Sequence, residues 1–175
     1  IVVGVDRTGR LVRQLLDMSA IEALDQPERS GVVKPAAVLR SLAEELADPG
    51  RDVAVEVSPD LDAVELEIEP ELFTLAARNL MENAVNHSPS GGVVRCRLAG
   101  TCEGGRVVIE DDGPGIPDDE LAQVTERFFR GRNKAPIGSG LGLAIVELAL
   151  GRGGWKLQLQ NRDTGGLRAV IAHAT

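Results

Sequence analysis

The spacing of apolar residues divides the first fifty positions of the chain into two helical segments. Apolar side chains recur on one side at 3.6 residues per turn from about Val5 to Ala23 and again from Lys34 to Ala47. Pro27 and Gly31 interrupt the pattern between these segments. We therefore predict two amphipathic helices that are separated at residues 26–33, and the first helix needs a partner helix for its apolar side.

The remaining residues alternate between a strand-like period of two and a helical period. The predicted strands cover about residues 53–57, 64–68, 94–98, 107–111, 155–159 and 167–171, and the predicted helices cover about residues 71–87, 118–126 and 142–150. This order predicts an α+β fold, a two-layer sandwich in which helices cover one face of a single mixed, largely antiparallel sheet.

The composition is ordinary for a globular protein of 175 residues and argues against several classes of function. Nineteen Lys and Arg residues against 27 Asp and Glu residues give a net charge of −8, which disfavours general binding to nucleic acid or anionic lipid. No apolar run approaches the roughly 20 residues that cross a bilayer. Cys96 and Cys102 lack the spacing of a zinc site, so we interpret them as reduced thiols. Because the chain begins with Ile, we expect it to be part of a longer protein.

Polar residues interrupt the core-facing side of the predicted helix 71–87. Asn79, Asn83, Asn86 and His87 follow one another at i, i+4, i+7 and i+8 on the side of the apolar residues. A cap or water would account for one asparagine, but three on one inward stripe exceed what the backbone alone usually satisfies. We interpret this stripe as the binding site of a ligand or an ion.

A second polar group ends the predicted strand 107–111. By the period of two, the Asp111 carboxylate points to the core side, whereas Glu110 and Asp112 point outward. The turn that follows contains Gly113 and Gly115, which would let a flat ring approach the backbone closely. Taken alone, the same residues are equally typical of a turn that ends a strand.

A glycine-rich segment, Gly-Ser-Gly-Leu-Gly-Leu at residues 138–143, leads into the predicted helix 142–150. Unpaired N–H groups and the helix dipole favour phosphate at such a position. The segment is not a Walker A motif, because no Gly-Lys-Ser/Thr follows, and no strand leads into it as in a dinucleotide-binding turn. The dense basic cluster of the chain, residues 127–134, comes just before it and would meet phosphate charge. A flexible linker would also explain the glycines alone.

In this order, the segments resemble the nucleotide-binding motifs of sensor histidine kinases, within the superfamily that includes gyrase, Hsp90-type chaperones and the mismatch-repair ATPase MutL. The resemblance covers about residues 34–175. Residues 79–88 resemble the N box, 111–115 the D-x-G-x-G box, 126–130 the F box and 138–143 the G-x-G-L-G-L box, and 164–166 are a weak echo of the last glycine motif. It implies a Bergerat-type ATP-binding domain at residues 34–175, after the C-terminal part of a dimerisation and phosphoacceptor helix pair at residues 1–25.

The resemblance also implies the cofactors ATP and Mg²⁺ and a role for each motif. Asp111 would accept from the adenine amino group, and His87 would lie against the ring. Asn83 would be the metal ligand, with Asn79 in support, and Arg130 would reach the phosphates from a mobile lid at about residues 119–139. The implied cofactor-binding residues are Asn83, Asn86, His87, Asp111, Gly113, Gly115, Ile116, Gly138, Gly140, Leu141 and Gly142, and the implied catalytic residues are Asn79, Asn83 and Arg130.

The chain departs from the family pattern at three points. Asn86 stands where the family usually has a Lys or Arg aimed at the phosphates, and Thr125 replaces the first aromatic residue of the F box. The phosphoacceptor histidine is absent, because the histidines of the chain are His87 and His173. Gyrase-type and MutL-type ATPases are disfavoured, since Asn79 occupies the position of their catalytic Glu.

The resemblance therefore implies an ATP-dependent protein-histidine kinase that donates the γ-phosphoryl group to a phosphoacceptor helix of the same kinase. Its implied partners are a second copy in a homodimer and a downstream response regulator, without nucleic acid. The implied location is the cytoplasmic part of a membrane-anchored sensor, without direct membrane contact of this chain. An anti-sigma-type serine kinase and a degenerate nucleotide-binding module remain alternatives.

Overall fold

The computed structural model describes residues 2–24, 31–101, 105–131 and 140–174. The helices are α1 (Val2–Glu22), α2 (Pro35–Leu46), α3 (Pro70–His87) and α4 (Gly142–Arg152), with one turn of 3₁₀ helix at Pro59–Leu61. The strands are β1 (Val32–Val33), β2 (Val53–Val57), β3 (Leu66–Glu67), β4 (Gly92–Ala99), β5 (Arg106–Glu110), β6 (Trp155–Asn161) and β7 (Leu167–His173).

Five strands form one sheet in the order β2-β4-β5-β7-β6. β2 runs parallel to β4, with Val55 opposite Val94, and the other three pairs are antiparallel. The parallel pair requires a crossover connection, which contains α3. The predicted mixed, largely antiparallel sheet is confirmed.

The core lies between the helices and one face of this sheet. Phe73 of α3, Ile145 of α4 and Ile171 of β7 are fully buried there. Cys96 of β4 is a buried free thiol whose pKa burial raises to about 12, and Cys102 lies outside the described residues. α3 and α4 pack against each other over the sheet. The predicted helical layer on one face is thereby confirmed.

The opposite face of the sheet buries a carboxylate that the alternation predicts to point outward. Glu110 lies on that face, yet only 5% of its surface is exposed, because Arg97 and Arg168 of the neighbouring strands cover it. Burial alone would raise the pKa of Glu110, but the hydrogen bonds from Arg97 and Arg168 hold it below its usual value. The predicted direction is correct, and cross-strand ion pairs account for the unexpected burial.

Two segments differ from the predicted elements. The strand expected at 64–68 is limited to Leu66–Glu67, which pairs with β1 in a separate two-stranded sheet. β1 falls in the predicted linker 26–33 and was missed, because two residues carry no readable period; residues 25–30 lie outside the described part of the chain. The helix expected at 118–126 is wrong. This segment forms successive turns, in which Gln123 N–H bonds to Glu120 O and Glu126 N–H to Gln123 O, at 2.9 Å each.

The apolar side predicted for the first helix divides into two faces. Met18 and Ile21 are buried against the rest of the molecule, where α1 packs on α4. Val12, Leu15 and Leu16 are 50%, 42% and 65% exposed. One face of α1 therefore belongs to the core, and the other remains open. Within the described residues, no helix is long and apolar enough to cross a membrane.

Candidate active site

The predicted motifs meet at one end of the sheet, where α3 and β5 end and α4 begins. A Cβ atom added to Gly113 would lie 2.6 Å from the carbonyl oxygen of His87, so the turn after β5 packs against the last residue of α3. One added to Gly142 would lie 3.6 Å from Oδ1 of Asn79, so the start of α4 faces the same helix. Residues that are up to 63 positions apart in the chain thus line one site.

The Asp111 carboxylate is buried and held in one orientation. Its Oδ1 accepts from the N–H groups of Gly113 at 2.9 Å and Leu167 at 3.1 Å, and 3% of the residue is exposed. Burial raises the pKa of Asp111, and the two N–H groups and nearby positive charge oppose this shift. Both bonds use Oδ1, and within the described residues the second oxygen, Oδ2, accepts no hydrogen bond.

A network that sequence reasoning missed fixes the backbone at Asp111. Nη1 of Arg162 donates to the Asp111 carbonyl oxygen at 2.6 Å and to Oδ1 of Asp112 at 3.0 Å. Asp112 also accepts from Val93 N–H at 2.9 Å and from Arg95 at 3.0 Å. These bonds, first that from Val93 and then that from Arg162, lower the pKa of Asp112 to about 2. The available signal was the weak glycine motif at 164–166, which begins two residues after Arg162.

Gly166 and Asn161 bring the end of β6 and the start of β7 against the same turn. Gly166 has φ +90°, and an added Cβ would lie 2.0 Å from the Asp111 carbonyl oxygen, so only glycine fits. Asn161 accepts from Ile116 N–H at 2.9 Å and donates to Ile116 O at 2.6 Å. A Cβ on Gly115, at φ +72°, would meet Asn161 at 2.6 Å. Contacts from Gly166 and from Asn161 therefore hold the backbone of the predicted ring-binding turn in place.

The three asparagines of α3 have different surroundings. Asn79 is 5% exposed; its Nδ2 donates to Leu75 O at 2.8 Å, and its Oδ1 accepts from Gln14 of α1 at 3.3 Å. Oδ1 of Asn86 accepts from Arg51, which lies just before β2. The half-buried Asn83 carboxamide makes no hydrogen bond within the described part of the chain. Asn83 thus has the uncommitted amide of the three.

His87 and the start of α4 complete the described part of the site. Nδ1 of His87 lies 2.8 Å from Asn83 O, which orients the half-buried ring. Leu141 is buried and caps α4 without a side-chain hydrogen bond to the first turn, and Gly140 before it has φ +74°. Leu141 itself therefore gives the first turn of α4 no side-chain cap. Predicted Gly138 lies outside the described residues.

The predicted lid is described only over its first half, as residues 132–139 lie outside the described range. Phe128 N–H donates to Gly140 O at 2.8 Å and connects the F box to the glycine-rich segment. Phe128 has φ +63°, a strained conformation for a residue with a side chain, and is 59% exposed. Arg130 is exposed. Its predicted reach toward phosphate stays a prediction.

The residues fit the implied cofactors at three places. Asp111 offers a fixed acceptor for an amino group beside a clamped backbone turn. The start of α4 offers N–H groups and a positive dipole end to phosphate. The Asn83 amide oxygen is the kind of hard ligand that Mg²⁺ takes together with water and phosphate oxygens.

Comparisons with known proteins identify the family to which the chain belongs. Residues 68–174 match the model of the family described as histidine kinase-, DNA gyrase B-, and HSP90-like ATPase. The sensor protein QseC of Escherichia coli (strain K12) is 32% identical over 171 residues, which are 97% of this chain and 37% of QseC. The signal transduction histidine-protein kinase/phosphatase MprB of Mycobacterium sp. (strain KMS) is 31% identical over 170 residues, 95% of this chain and 32% of MprB. The chain thus spans about a third of the length of these relatives.

Solved structures show the same fold. The mycobacterial sensor histidine kinase MprB superposes with a TM-score of 0.70 at 31% identity, covering 82% of this chain and 97% of that chain. The cytoplasmic segment of histidine kinase QseC superposes with a TM-score of 0.64 at 24% identity, covering 98% of this chain and 90% of that chain.

We predict that Asp111→Asn lowers the affinity for ATP about ten- to a hundredfold, because a charge-assisted acceptor, worth roughly 1.5–3 kcal/mol, becomes neutral. Isothermal calorimetry with ATP measures the change, and circular dichroism checks the fold. Asp163→Asn, in the exposed turn between β6 and β7, removes the same charge away from the site and serves as the control. Unchanged affinity in folded Asp111→Asn protein would contradict this role.

We predict that Asp112→Asn destabilises the fold at pH 7 but not at strongly acid pH. The folded pKa, about 2, lies below the ordinary value of 3.8, so the stabilising contribution is present above pH 3.8 and is lost as pH falls through about 2. Urea unfolding of wild type and variant should show free energies that converge on acidification. An equal gap at pH 7 and pH 2 would show that the network does not depend on the charge of Asp112.

Proposed function

The chain belongs to the family of histidine kinase-, DNA gyrase B- and HSP90-like ATPases, and on this premise we propose that it is the Mg·ATP-binding catalytic part of a sensor histidine kinase. Its homology to the sensor kinases QseC and MprB extends over nearly the whole chain. The observation that carries the proposal is Asp111, with Oδ1 fixed by two backbone N–H groups and Oδ2 left for an amino group.

At the adenine end, a side chain and a backbone turn of fixed conformation recognise the ring. Asp111 Oδ2 accepts from the exocyclic amino group, and the neighbouring turn of Gly113, Gly115 and Ile116 gives the ring a close backbone surface. In this proposal the His87 ring packs against the adenine. Because Asn161 and Arg162 hold this turn from the sheet side, the surface exists before the nucleotide arrives.

At the phosphate end, the chain neutralises charge. Mg·ATP, when bound, supplies the transferable γ-phosphoryl group and a cation that offsets its charge. Asn83 offers its amide oxygen to that cation, and the glycine-rich segment with Gly140, Leu141 and Gly142 brings the positive end of the α4 dipole to the phosphates. Arg130 brings positive charge from the lid.

Arg51 restores a cation where the N box lacks one. The family usually has Lys or Arg at the position of Asn86, and in this chain the Arg51 guanidinium binds the Asn86 side chain. In this proposal, Arg51 carries from the loop before β2 the charge that the family pattern has on α3. Asn86 orients this guanidinium and, in this role, belongs to the phosphate end.

We assign the other partners to the longer kinase. The acceptor is a histidine on the phosphoacceptor helix, in a homodimer, and a response regulator receives the phosphoryl group next. α1 presents the exposed apolar residues Val12, Leu15 and Leu16 to that helix arrangement. The chain itself works on the cytoplasmic side of a membrane-anchored sensor.

We predict that this chain binds Mg·ATP but does not label itself, since it holds no phosphoacceptor histidine. A version extended in front of Ile1 by a histidine-bearing phosphoacceptor helix should acquire acid-labile label from γ-³²P-ATP. The matched control replaces that histidine by Gln. Acid-stable label on serine would instead indicate a serine kinase, and binding without any transfer by the extended protein would indicate a degenerate module.

We predict that Asn83→Ala removes most of the Mg²⁺ enhancement of ATP binding, because the uncommitted amide oxygen is lost. Calorimetric titrations with and without Mg²⁺ give the enhancement for each variant. Gln160→Ala, an exposed amide on β6, is the control and should keep it. If Asn83→Ala retained the full enhancement, the ion would be held by other groups.

A further inference from the structure

We propose that Gln14 of α1 is a positioning residue, which holds the Asn79 side chain away from the metal-binding end of the site. The packing of α1 against the N box would then control how strongly Mg²⁺ enhances nucleotide binding. The inference rests on the proposed function and adds a way in which α1 regulates nucleotide binding. It concerns a contact between the first helix of the chain and the N box.

The contact is buried and specific. Gln14 is 7% exposed and Asn79 is 5% exposed, and Nε2 of Gln14 lies 3.3 Å from Oδ1 of Asn79. The other end of the Asn79 carboxamide donates to Leu75 O, one turn earlier on α3, at 2.8 Å. The oxygen that could face an ion or its water is therefore engaged by α1.

Gln14 moves with its helix, because it shares one face with the apolar anchors of α1. Met18 and Ile21 follow at i+4 and i+7, and they are 3% and 1% exposed. Beyond them, Glu22 pairs with Arg127 of the F box, and Arg152 of α4 donates to Leu24 O at 2.9 Å. A displacement of α1 that frees these anchors also removes Nε2 of Gln14 from Asn79.

The same helix also lies beside the start of α4. A Cβ atom added to Gly142 would lie 3.6 Å from Asn79 Oδ1 and 3.9 Å from Gln14 Nε2, and Arg13 lies 3.6 Å from Glu82 of the N box. α1 therefore touches the N box, the F box and the glycine-rich segment. The position of α1 is coupled to the elements that bind nucleotide.

The physical consequence follows from the cost of a buried oxygen without a partner. If Gln14 cannot donate, Asn79 Oδ1 is left unsatisfied in a buried place, and it gains a partner when a metal ion or its water arrives. Asn79 lies one turn before Asn83 on the same side of α3, so its oxygen can join the same ligand shell. By thermodynamic linkage, an ion that binds this oxygen weakens the packing of α1 against the N box by the same factor.

The test compares wild type with Gln14→Leu, which keeps the approximate size of the side chain and cannot donate. We expect the Mg²⁺ enhancement of ATP affinity, measured by calorimetry with Mg²⁺ and with EDTA, to rise about two- to tenfold, the equivalent of one neutral hydrogen bond. Affinity in EDTA should stay within twofold. Ser19→Ala, on the exposed side of α1, is the matched control and should behave as wild type. Thermal melts confirm folding, and Gln14→Ala serves if the Leu variant does not fold.

A second measurement tests the linkage in wild type. Hydrogen exchange of α1 amides should become faster with Mg·ATP and not with ATP in EDTA. An unchanged enhancement in both Gln14 variants, an equal change with and without Mg²⁺, or exchange that does not respond to Mg·ATP would each overturn the inference. Wild type that binds no ATP under either condition would overturn the proposed function and, with it, this inference.

Discussion

The burial of one carboxylate, that of Asp111 at the end of β5, is the constraint around which the candidate site is arranged. A buried carboxylate needs donors, because burial disfavours its charged form. Gly113 and Leu167 supply them from two different segments, one directly after β5 and one at the start of β7. The turn after β5 and the glycine turn before β7 must therefore meet at Asp111, and the close packing of Gly113 against His87 brings the end of α3 to the same point.

The close approach also explains which residues surround the carboxylate. At Gly166 the backbone approaches Asp111 so closely that no side chain fits, since an added Cβ would lie 2.0 Å from the Asp111 carbonyl oxygen. The charge of Arg162 then serves two acceptors at once, that carbonyl and the Asp112 carboxylate. Asp112 faces the opposite way from Asp111 along the strand, so the two neighbouring acids do different work. Asp112 fixes the turn from outside, and Asp111 is the acceptor that we propose for a ligand.

Local patterns predicted most of the fold and the motif residues, and they failed where the structure depends on distant partners. The period of two identified the five strands of the sheet, because each strand buries one face. The same period did not predict β1, because its two residues are defined as a strand only by their pairing with β3. At 118–126 the composition suited a helix, but Val124 is the one buried side chain of that segment, too few to hold a helix against the core. Asn161 and Arg162 reach the site only through the strand order β5-β7-β6, which no local pattern contains.

The first helix shows which contacts the pattern of apolar residues predicts and which it does not. Its apolar residues predicted a partner helix, yet they divide between a face packed on α4 and an exposed face of Val12, Leu15 and Leu16. Gln14 is a polar residue on the packed face, and sequence alone would interpret it as a surface residue. Its burial has an acceptor, the oxygen of Asn79, 65 residues further along the chain. A hydrophobic residue there would pack as well without requiring a partner, whereas the contact with Asn79 offsets part of the cost of burying the Gln14 amide while α1 is packed against the N box. The polar choice at this position therefore makes the placement of α1 depend on the state of the site, which an apolar side chain would not do.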